Sequence, residues 1–301
     1  MSSVLVIGTV ALDTILTPTG EAPMVLGGSA TYFSWAASYF TNVHLVGIVG
    51  EDFPQEHRQM FKDRGIDTAG LVVKQGGKTM FWRGRYFDDM NQRETLEFSP
   101  NVLTEFDPQL PASYRKIPYV FLANTHPKLQ MQVLDQVEKP ELVVADTMDH
   151  WINNTRDDLM KLLPKLDGLV LNDGEAKLLT GEPNLIRAGE KIREMGPSFV
   201  IVKKGEHGSY LVTKDGPFLL PGFPTKTVID PTGAGDSFAG GLMGYLASDT
   251  SKAPGSLRRA IAYGSIVASM TVEGFGLNRL RKATRSEINL RLEEYRNMLA
   301  F

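Results

Sequence analysis

The stretch Asp230-Pro231-Thr232-Gly233-Ala234-Gly235-Asp236-Ser237-Phe238 decides the fold that this chain can adopt. Before it, Thr225 to Ile229 is predicted to be a short strand, and after it apolar residues recur at helical spacing, at Phe238, Leu242, Tyr245 and Leu246. Its glycines therefore lie where a strand turns into a helix. The first amides of a helix have no intrahelical partner and lie at the positive end of the helix dipole, and glycine lets an oxyanion approach the backbone. We expect the amides of Gly233, Ala234 and Gly235 to form an anion hole.

Asp236 falls in the first turn of the same helix, beside those amides. A carboxylate next to an anion hole suits phosphoryl transfer, because it can accept the proton of an attacking hydroxyl while the amides stabilise charge on the phosphate oxygens. The alternative is that Asp236 only complements the helix dipole and that the glycines only form a turn. The complete nonapeptide, rather than a lone Gly-x-Gly, favours the catalytic interpretation.

The nonapeptide resembles the C-terminal signature of the ribokinase-like (PfkB) carbohydrate kinase family. The resemblance extends over nearly the whole chain, strongest at residues 230 to 241 and weakest between 54 and 165. It implies a ribokinase-like α/β fold and Mg²⁺-dependent transfer of the ATP γ-phosphoryl group to a hydroxymethyl group of a sugar or sugar-like acceptor. In this interpretation Asp236 is the general base.

The composition is that of an ordinary globular chain: 301 residues, 42% hydrophobic and 22% charged. We expect residues 1–301 to form one α/β domain. The net charge of −3 and the pI near 6.0 give no general attraction to nucleic acid or to an anionic membrane, so a small-molecule partner is expected. There is no apolar run of about 18 residues and no basic leader, which predicts a cytoplasmic protein. The absence of cysteine excludes disulfides and thiolate zinc sites.

Short apolar runs alternate with helical patterns along most of the chain. This alternation predicts a mostly parallel sheet covered by helices on both faces. The strands are predicted at Val4 to Gly8, His44 to Val49, Tyr119 to Ala123, Leu142 to Asp146, Gly168 to Asn172 and Phe199 to Lys203. The helices are predicted at Ser29 to Phe40, Leu129 to Glu138 and Ile186 to Met195. Ser209 to Thr213 and Pro217 to Leu220 flank a turn and predict a hairpin.

One region interrupts this alternation. Leu71 to Val73 and Thr79 to Phe87, with the segment that continues to Phe98, are rich in aromatic and β-branched residues, and no long helix separates them. The pattern predicts a small antiparallel sheet inserted into the α/β body. It could simply pack its own aromatics, or it could close over the substrate as a lid.

The family resemblance implies the second role, with a lid formed by residues of about 14–24 and 71–98. The side chains of interest are Trp82, Arg83, Arg85, Tyr86 and Phe87, and we expect Trp82 to contact the acceptor. An exposed edge of this sheet could also pair with a second copy of the chain and form a homodimer.

Residues for the acceptor are predicted near the N-terminus. Paired glycines, Gly27 and Gly28, let a bound molecule approach the backbone, and the carboxylate of Asp13 can accept hydrogen bonds from two hydroxyls of a polyol. Alternatively, the glycines form a turn and Asp13 caps a helix. In the family, the matching aspartate and glycine pair bind the sugar.

The chain also departs from the family pattern. Many members have asparagine at the positions of Ala11 and Tyr32, and some have asparagine at the position of Met148. Two amides that bind hydroxyls are missing at the first two positions. This admits a less polar or aromatic acceptor, on which Tyr32 could stack.

Asn172-Asp173-Gly174-Glu175 follows a predicted strand, at the end of a sheet where α/β proteins bind ligands, and it matches the family's Asn-x-x-Glu. Carboxylate and carbonyl oxygens suit Mg²⁺, which usually keeps several waters, so we expect Asn172 and Glu175 to act on the metal through water. The alternative is a helix cap with Glu175 in the first turn.

Lys203-Lys204-Gly205-Glu206-His207-Gly208 follows another strand and matches the family loop that lies against ATP. Lys203, Gly205 and Gly208 are the expected ATP contacts, together with Gly235 of the anion hole. A hairpin turn with two solvated lysines is the competing interpretation.

Asp230 and Thr232 match positions that help to bind a monovalent cation in many relatives. The second half of that site would come from the loop of residues 272–276, where the match is loose. The resemblance therefore admits K⁺ as a cofactor beside ATP and Mg²⁺.

The sequence leaves two other functions open. A nucleoside kinase of the same fold is suggested by Tyr32 and by the aromatic residues of the lid. A non-catalytic sensor of nucleotide or sugar is suggested by the departures at Ala11, Tyr32 and Met148, although an intact Asp236 and anion hole argue against it.

Overall fold

The buried apolar runs form a nine-stranded sheet in the computed structural model, which describes residues 2–251, 253 and 255–300. A second sheet of four strands lies beside it. The strands are β1 (Ser3–Ile7), β2 (Ala11–Thr17), β3 (Gly20–Gly27), β4 (Asn42–Gly50), β5 (Asp67–Lys74), β6 (Met80–Tyr86), β7 (Arg93–Ser99), β8 (Tyr119–Leu122), β9 (Leu142–Asp146), β10 (Gly168–Asn172), β11 (Phe199–Lys203), β12 (Ser209–Thr213) and β13 (Gly216–Leu220).

The helices connect these strands and cover the large sheet. They are α1 (Ser29–Ala37), α2 (Gln55–Asp63), α3 (Pro127–Leu134), α4 (Asp149–Asn154), α5 (Arg156–Leu162), α6 (Asp173–Thr180), α7 (Leu185–Glu194), α8 (Ala234–Ser248), α9 (Ser256–Thr271) and α10 (Arg285–Leu299). No helix within the described residues is both long enough and apolar enough to cross a membrane.

The large sheet has the strand order β13-β12-β11-β10-β9-β8-β1-β4-β5, and its strands from β5 to β11 are parallel. Successive residues of a strand point to opposite faces, so both faces of β1 are apolar: Val4 and Val6 join one core, and Leu5 and Ile7 join the other. The first core packs against α1, α2, α8, α9 and α10, and the second against α3 to α7. This confirms the predicted parallel sheet between two helical layers, and β12 and β13 confirm the hairpin.

Helix α8, which follows the nonapeptide, lies against α1 and α9 because its glycines leave no side chain between the backbones. A Cβ on Gly240 would be 2.4 Å from the Phe33 carbonyl oxygen, and one on Gly241 would be 3.0 Å from the Cα of Gly264. The small residues therefore fix the position of the helix whose first turn carries the predicted site.

The small sheet has the order β3-β2-β6-β7. Two antiparallel pairs, β2 with β3 and β6 with β7, are joined by a parallel pair of β2 with β6. It begins at Ala11 and thus includes Asp13. Leu71 to Val73 were predicted here, but they belong to β5 and pair with β4 at the edge of the large sheet, so this part of the prediction is wrong. An edge strand is half-exposed and alternates like a surface strand, and alternation alone does not say which sheet a strand joins.

The predicted strand at Thr225 to Ile229 is also wrong, since this segment has no regular structure. Pro224 and Pro231 flank it and lack the N–H that a ladder needs. Two backbone bonds nevertheless hold its end: the amides of Ile229 and Asp230 both donate to the carbonyl of Val272, at 2.7 and 3.2 Å.

Candidate active site

The nonapeptide forms a tight turn into helix α8. Gly233 caps the helix with φ 74° and ψ 2°, the left-handed conformation that glycine adopts readily. The amide of Ala234 donates to the carbonyl of Pro231 at 3.2 Å. The amides of Gly233 and Gly235 have no acceptor within the described part of the chain. They are the free donors of the predicted anion hole.

Asp230 fixes the start of this turn. It is fully buried, and its two carboxylate oxygens accept from the amides of Thr232 at 2.8 Å and Gly276 at 2.9 Å. Burial raises the pKa of Asp230, and these hydrogen bonds oppose the rise. The carboxylate thus ties the turn to the loop of residues 272–276.

Asp236 lies in the first turn of α8. Burial raises the pKa of its carboxyl, and the positive charges of Lys203 and Arg93 oppose that rise. A carboxyl with a raised pKa beside two free amides can accept a proton from a hydroxyl near neutral pH.

Asp146 is a second buried carboxyl of this site, at the carboxyl end of β9. Burial and the negative charge of Asp236 raise its pKa, while Lys203 opposes the rise. Its Oδ1 atom has no hydrogen-bond partner among the described residues. The sequence analysis named Asp146 only as the end of a predicted strand, because nothing in a strand-end aspartate shows that it will face another carboxyl.

Asn172 and Glu175 form a capping box at the start of α6. The Asn172 side chain accepts from the Glu175 amide at 2.8 Å, and the Glu175 carboxylate accepts from the Asn172 amide at 2.7 Å. Burial raises the pKa of Glu175, and the charge of Lys203 opposes this. Because the box uses only one carboxylate oxygen, the other remains free for a metal-bound water, so the residues fit Mg²⁺ held through water.

The loop that follows β11 lies beside the carboxyl groups of Asp146, Glu175 and Asp236. Gly205 and Gly208 both have positive φ values, 56° and 88°, and a Cβ on Gly208 would be 2.0 Å from the Leu220 carbonyl oxygen. The tight hairpin that sequence reasoning offered as an alternative is therefore present. Asn91, from the turn between β6 and β7, donates to the Glu206 carboxylate at 3.3 Å. The tip of the small sheet thus contacts the predicted nucleotide loop.

Asp13 lies on the small sheet with its carboxylate against the glycine pair. Its side chain is 4% exposed, and a Cβ on Gly27 would be 1.9 Å from its Oδ2 atom. Gly28 has φ 95°, and a Cβ there would meet the Thr9 carbonyl oxygen at 2.4 Å. Burial, followed by the charge of Asp230, raises the pKa of Asp13 to about 8.

The strand register places an aromatic row beside Asp13. Asp13 pairs with Trp82 on β6, and Trp82 pairs with Phe98 on β7, so the three side chains project from one face of the small sheet. The Trp82 indole lies over Gly84, where a Cβ would be 2.1 Å from the ring, and it donates to Thr95 Oγ1 at 3.2 Å. Phe98 is 52% exposed. We call Asp13, Trp82 and Phe98 the acceptor row.

The same face also reaches the nonapeptide. Tyr86 is buried, and its hydroxyl lies 3.2 Å from Thr232 Oγ1, within hydrogen-bond distance. Arg93 pairs with Tyr86 and shares its face. Arg83 and Arg85, by contrast, alternate onto the outer face, where Arg83 forms an ion pair with Glu21 at 3.9 Å.

Sequence reasoning missed Arg93 and Phe98. The alternation within residues 93 to 99 could have shown that the two lie on a strand, but only the register with β6 shows which face they share.

Tyr32 lies beneath the anion hole. It is 1% exposed, and a Cβ on Gly233 would be 2.3 Å from its ring. Its hydroxyl has no partner within the described residues. One face of the ring is thus covered by the backbone of the nonapeptide.

The comparisons with known proteins agree with this fold. The model of the pfkB family of carbohydrate kinases matches residues 1–283. A cytidine kinase of Thermococcus kodakarensis is 28% identical over 252 residues, which cover 81% of this chain and 89% of that protein. The crystal structure of the Methanocaldococcus jannaschii nucleoside kinase, an archaeal member of the ribokinase family, superposes with a TM-score of 0.79 at 22% identity, covering 98% of this chain and 99% of the other. An Escherichia coli structure in complex with ATP and Mg²⁺ gives a TM-score of 0.79 at 19% identity, covering 98% and 100%.

Proposed function

Since the chain belongs to the pfkB family of carbohydrate kinases and is a phosphotransferase, we propose that it transfers the γ-phosphoryl group of ATP to the hydroxymethyl group of a nucleoside. A nucleoside contains a sugar, so this acceptor is a particular case of the sugar-like acceptor that the sequence predicts. The similarity to a cytidine kinase and to a nucleoside kinase supports this choice.

The acceptor row is the observation that carries the proposal. Neighbouring strands lie about 4.8 Å apart, so the row presents a carboxylate, an indole and a phenyl ring over about 10 Å. A pentose with a base attached has the same order of groups: two hydroxyls for Asp13, then a flat ring for Trp82 and Phe98. A free sugar would use Asp13 but would leave both aromatic rings without a partner.

Catalysis then follows from the chain's own residues. Asp13, Gly27 and Gly28 hold the pentose so that its hydroxymethyl oxygen faces Asp236, which accepts the proton as the new O–P bond forms. The amides of Gly233 and Gly235 stabilise charge on the phosphoryl oxygens, and Ala234 joins them if its bond to Pro231 opens.

The nucleotide lies at the carboxyl ends of β10 and β11 in this proposal. Gly205, Gly208 and Lys203 would contact ATP, and Asn172 and Glu175 would hold Mg²⁺ through water. Mg²⁺, when bound, offsets negative charge on the transferred phosphate.

We also propose that K⁺ binds next to the nonapeptide. Asp230 is a buried carboxylate whose contacts are backbone amides, and it has no cationic partner within the described residues. A cation between Asp230, Thr232 and the loop of residues 272–276 would offset this charge and hold the anion hole in place. Replacing K⁺ by tetramethylammonium at constant ionic strength should lower kcat several-fold, and an unchanged kcat would remove K⁺ from the mechanism.

The test of the acceptor is a competition between nucleosides and free sugars. ADP release from MgATP is measured with pyrimidine and purine nucleosides, pentoses and hexoses, with Asp236→Ala as the blank. We expect turnover with nucleosides. Turnover with free sugars alone would make the protein a sugar kinase, and ATP binding with no turnover on any acceptor would favour a sensor.

The acceptor row is tested directly by Trp82→Leu and Phe98→Leu. Each should raise the KM for the nucleoside about 10-fold and leave the KM for ATP unchanged, because base stacking contributes about 1–3 kcal/mol. Phe87→Leu is the matched control, since Phe87 is also an exposed aromatic of the small sheet but lies beyond the end of β6.

A further inference from the structure

Lys203 lies in the centre of the candidate site. A lysine that only contacted the nucleotide from its loop would not need this position. It is the last residue of β11 and pairs in register with Asn172, the last residue of β10. From there its side chain crosses to the first turn of α8, where a Cβ on Gly235 would be 2.8 Å from the Lys203 Nζ atom. The ammonium group therefore lies close to the backbone of the anion hole, with no side chain at position 235 between them.

The ammonium group is surrounded by negative charge but is not paired with any one carboxylate. Its charge lowers the pKa of Asp146, Glu175 and Asp236, each of which burial raises. Within the described residues Lys203 nevertheless has no ion pair or hydrogen bond through Nζ. Three carboxyls from three different elements thus hold one half-buried cation between them, and its N–H donors remain unused.

The neighbouring lysine shows the difference. Lys204 donates to the Tyr210 hydroxyl at 3.1 Å and lies 4.6 Å from the centre of the Tyr210 ring. Its contacts are satisfied within the hairpin. Of these two neighbouring lysines, only Lys203 lies beside the anion hole with donors that have no partner among the described residues.

We propose that Lys203 is a catalytic residue whose ammonium group binds the oxygens of the γ-phosphoryl group while it is transferred. This rests on the proposed function. The acceptor hydroxyl gives its proton to Asp236, its oxygen forms a bond to the γ-phosphorus, and the bond to the β–γ bridging oxygen breaks with its electron pair leaving on ADP. Lys203 keeps its proton throughout and moves with the phosphoryl oxygens, opposite the amides of Gly233 and Gly235.

The two simpler roles for Lys203 make different predictions. If it only binds ATP, removing its charge should raise the KM for ATP and leave kcat unchanged at saturation. If it only neutralises the buried carboxyls, removal should lower the thermal stability and be rescued by arginine. A contact made in the transition state lowers kcat while the affinity for MgATP is kept.

The experiment compares Lys203→Met, Lys203→Arg and the matched control Lys204→Met in the full-length protein. We expect Lys203→Met to lower kcat about 10²- to 10³-fold, which is the effect of removing one donor from an oxyanion site. The Kd for MgATP should change less than about 5-fold, and Lys204→Met should keep kcat within about 3-fold of wild type. Lys203→Arg should recover little activity, because the larger guanidinium group does not fit above Gly235.

A second measurement does not depend on the acceptor. Wild-type protein should bind ADP more tightly with aluminium fluoride, which mimics the transferring phosphoryl group, than without it, and Lys203→Met should lose this gain while its affinity for ADP alone is kept. Any of three results for Lys203→Met would overturn the proposal: a kcat within about 3-fold of wild type, a loss of activity that saturating ATP restores, or an unchanged increase in ADP affinity with aluminium fluoride. If wild type turns over no acceptor, the proposed function fails, and the binding measurement still decides the role of Lys203.

Discussion

In the proposed function, the junction at residues 230–238 and the face of the small sheet that carries Asp13 serve the two ends of one reaction, but they are built in different ways. The junction uses backbone amides and the carboxylate of Asp236, which are neighbours in the chain. The small sheet uses side chains from three strands, Asp13, Trp82, Tyr86, Arg93 and Phe98, which only the strand register brings together. The phosphoryl side is therefore fixed by local geometry, and the acceptor side depends on side chains that can be exchanged without changing the backbone. We expect substitutions at the junction to stop the reaction, and substitutions in the sheet to change which acceptor is used.

The sharpest test of the junction is Asp236→Ala. Loss of the general base should lower kcat about 10³- to 10⁴-fold, while MgATP binding, measured by equilibrium titration, stays within a few-fold of wild type. Asp157→Ala is the matched control, because Asp157 is an exposed acid in the first turn of α5. If Asp236 only complements a helix dipole, the two variants will behave alike.

Gly233→Ala tests whether the backbone of the junction is as demanding as its carboxylate. Alanine at this position would have to adopt φ 74°, and its Cβ would lie 2.3 Å from the Tyr32 ring. We therefore expect kcat to fall about 10²-fold and the melting temperature to fall as well. Gly255→Ala is the control, since Gly255 also starts a helix with positive φ, but apart from its sequence neighbours no atom in the described part of the chain lies within 4 Å of the added Cβ. An equal loss of stability in both variants, with kcat kept in Gly233→Ala, would show that the turn is merely structural.

On the sheet side, Asp13→Asn should lower kcat/KM for the acceptor about 10²-fold, because the amide replaces one carboxyl oxygen, which can accept a hydrogen bond from the acceptor's hydroxyl, with an NH₂ group that cannot accept one. The KM for ATP should be unchanged. An equal loss of kcat/KM for the acceptor and for ATP would mean that Asp13 supports the whole site and is not specific to the acceptor.

Asp13 also gives the site a pH dependence with a defined sign. Its pKa of about 8 in the folded protein lies well above the ordinary value of 3.8, so between these values the folded state binds the extra proton and stability falls as pH rises. One such group contributes a slope of up to about 1.4 kcal/mol per pH unit. In urea unfolding from pH 5 to 8, Asp13→Asn should show a shallower decline than wild type and should be the more stable protein at pH 8. Parallel curves for the two proteins would contradict the assignment.

The smallest effect is expected where the two regions meet. Tyr86→Phe removes the hydroxyl that lies 3.2 Å from Thr232 Oγ1, and it should lower kcat about 3- to 10-fold by loosening the small sheet from the nonapeptide. Tyr263→Phe is the control, because the Tyr263 hydroxyl bonds Asn289 on the surface, at 3.3 Å. Because both changes remove the same contact, Tyr86→Phe and Thr232→Val combined should lower kcat by less than the two single changes together.

Much of the fold was readable from the sequence, and the failures share a cause. Local sequence patterns predicted the parallel strands, the hairpin and helix α8, and the structure confirms them. Leu71 to Val73 were assigned to the wrong sheet, and Thr225 to Ile229 proved irregular, because membership of a sheet depends on a distant partner strand. Local pattern tells which residues are extended but not what they pair with.

The candidate site likewise contains residues whose arrangement follows from local sequence and residues that only the fold brings together. Gly233, Gly235 and Asp236 are adjacent in sequence, so their arrangement follows from one turn of backbone, and the sequence by itself determined it. Arg83 and Arg85 lie on the outer face of the small sheet, whereas Arg93 and Phe98 lie on the face that carries Asp13. Lys203, at the end of β11, lies close to Gly235 in helix α8, although the two are distant in sequence. Only the tertiary structure decided these positions, because the face that a strand residue occupies, and the groups it meets there, are set by the register of non-neighbouring strands.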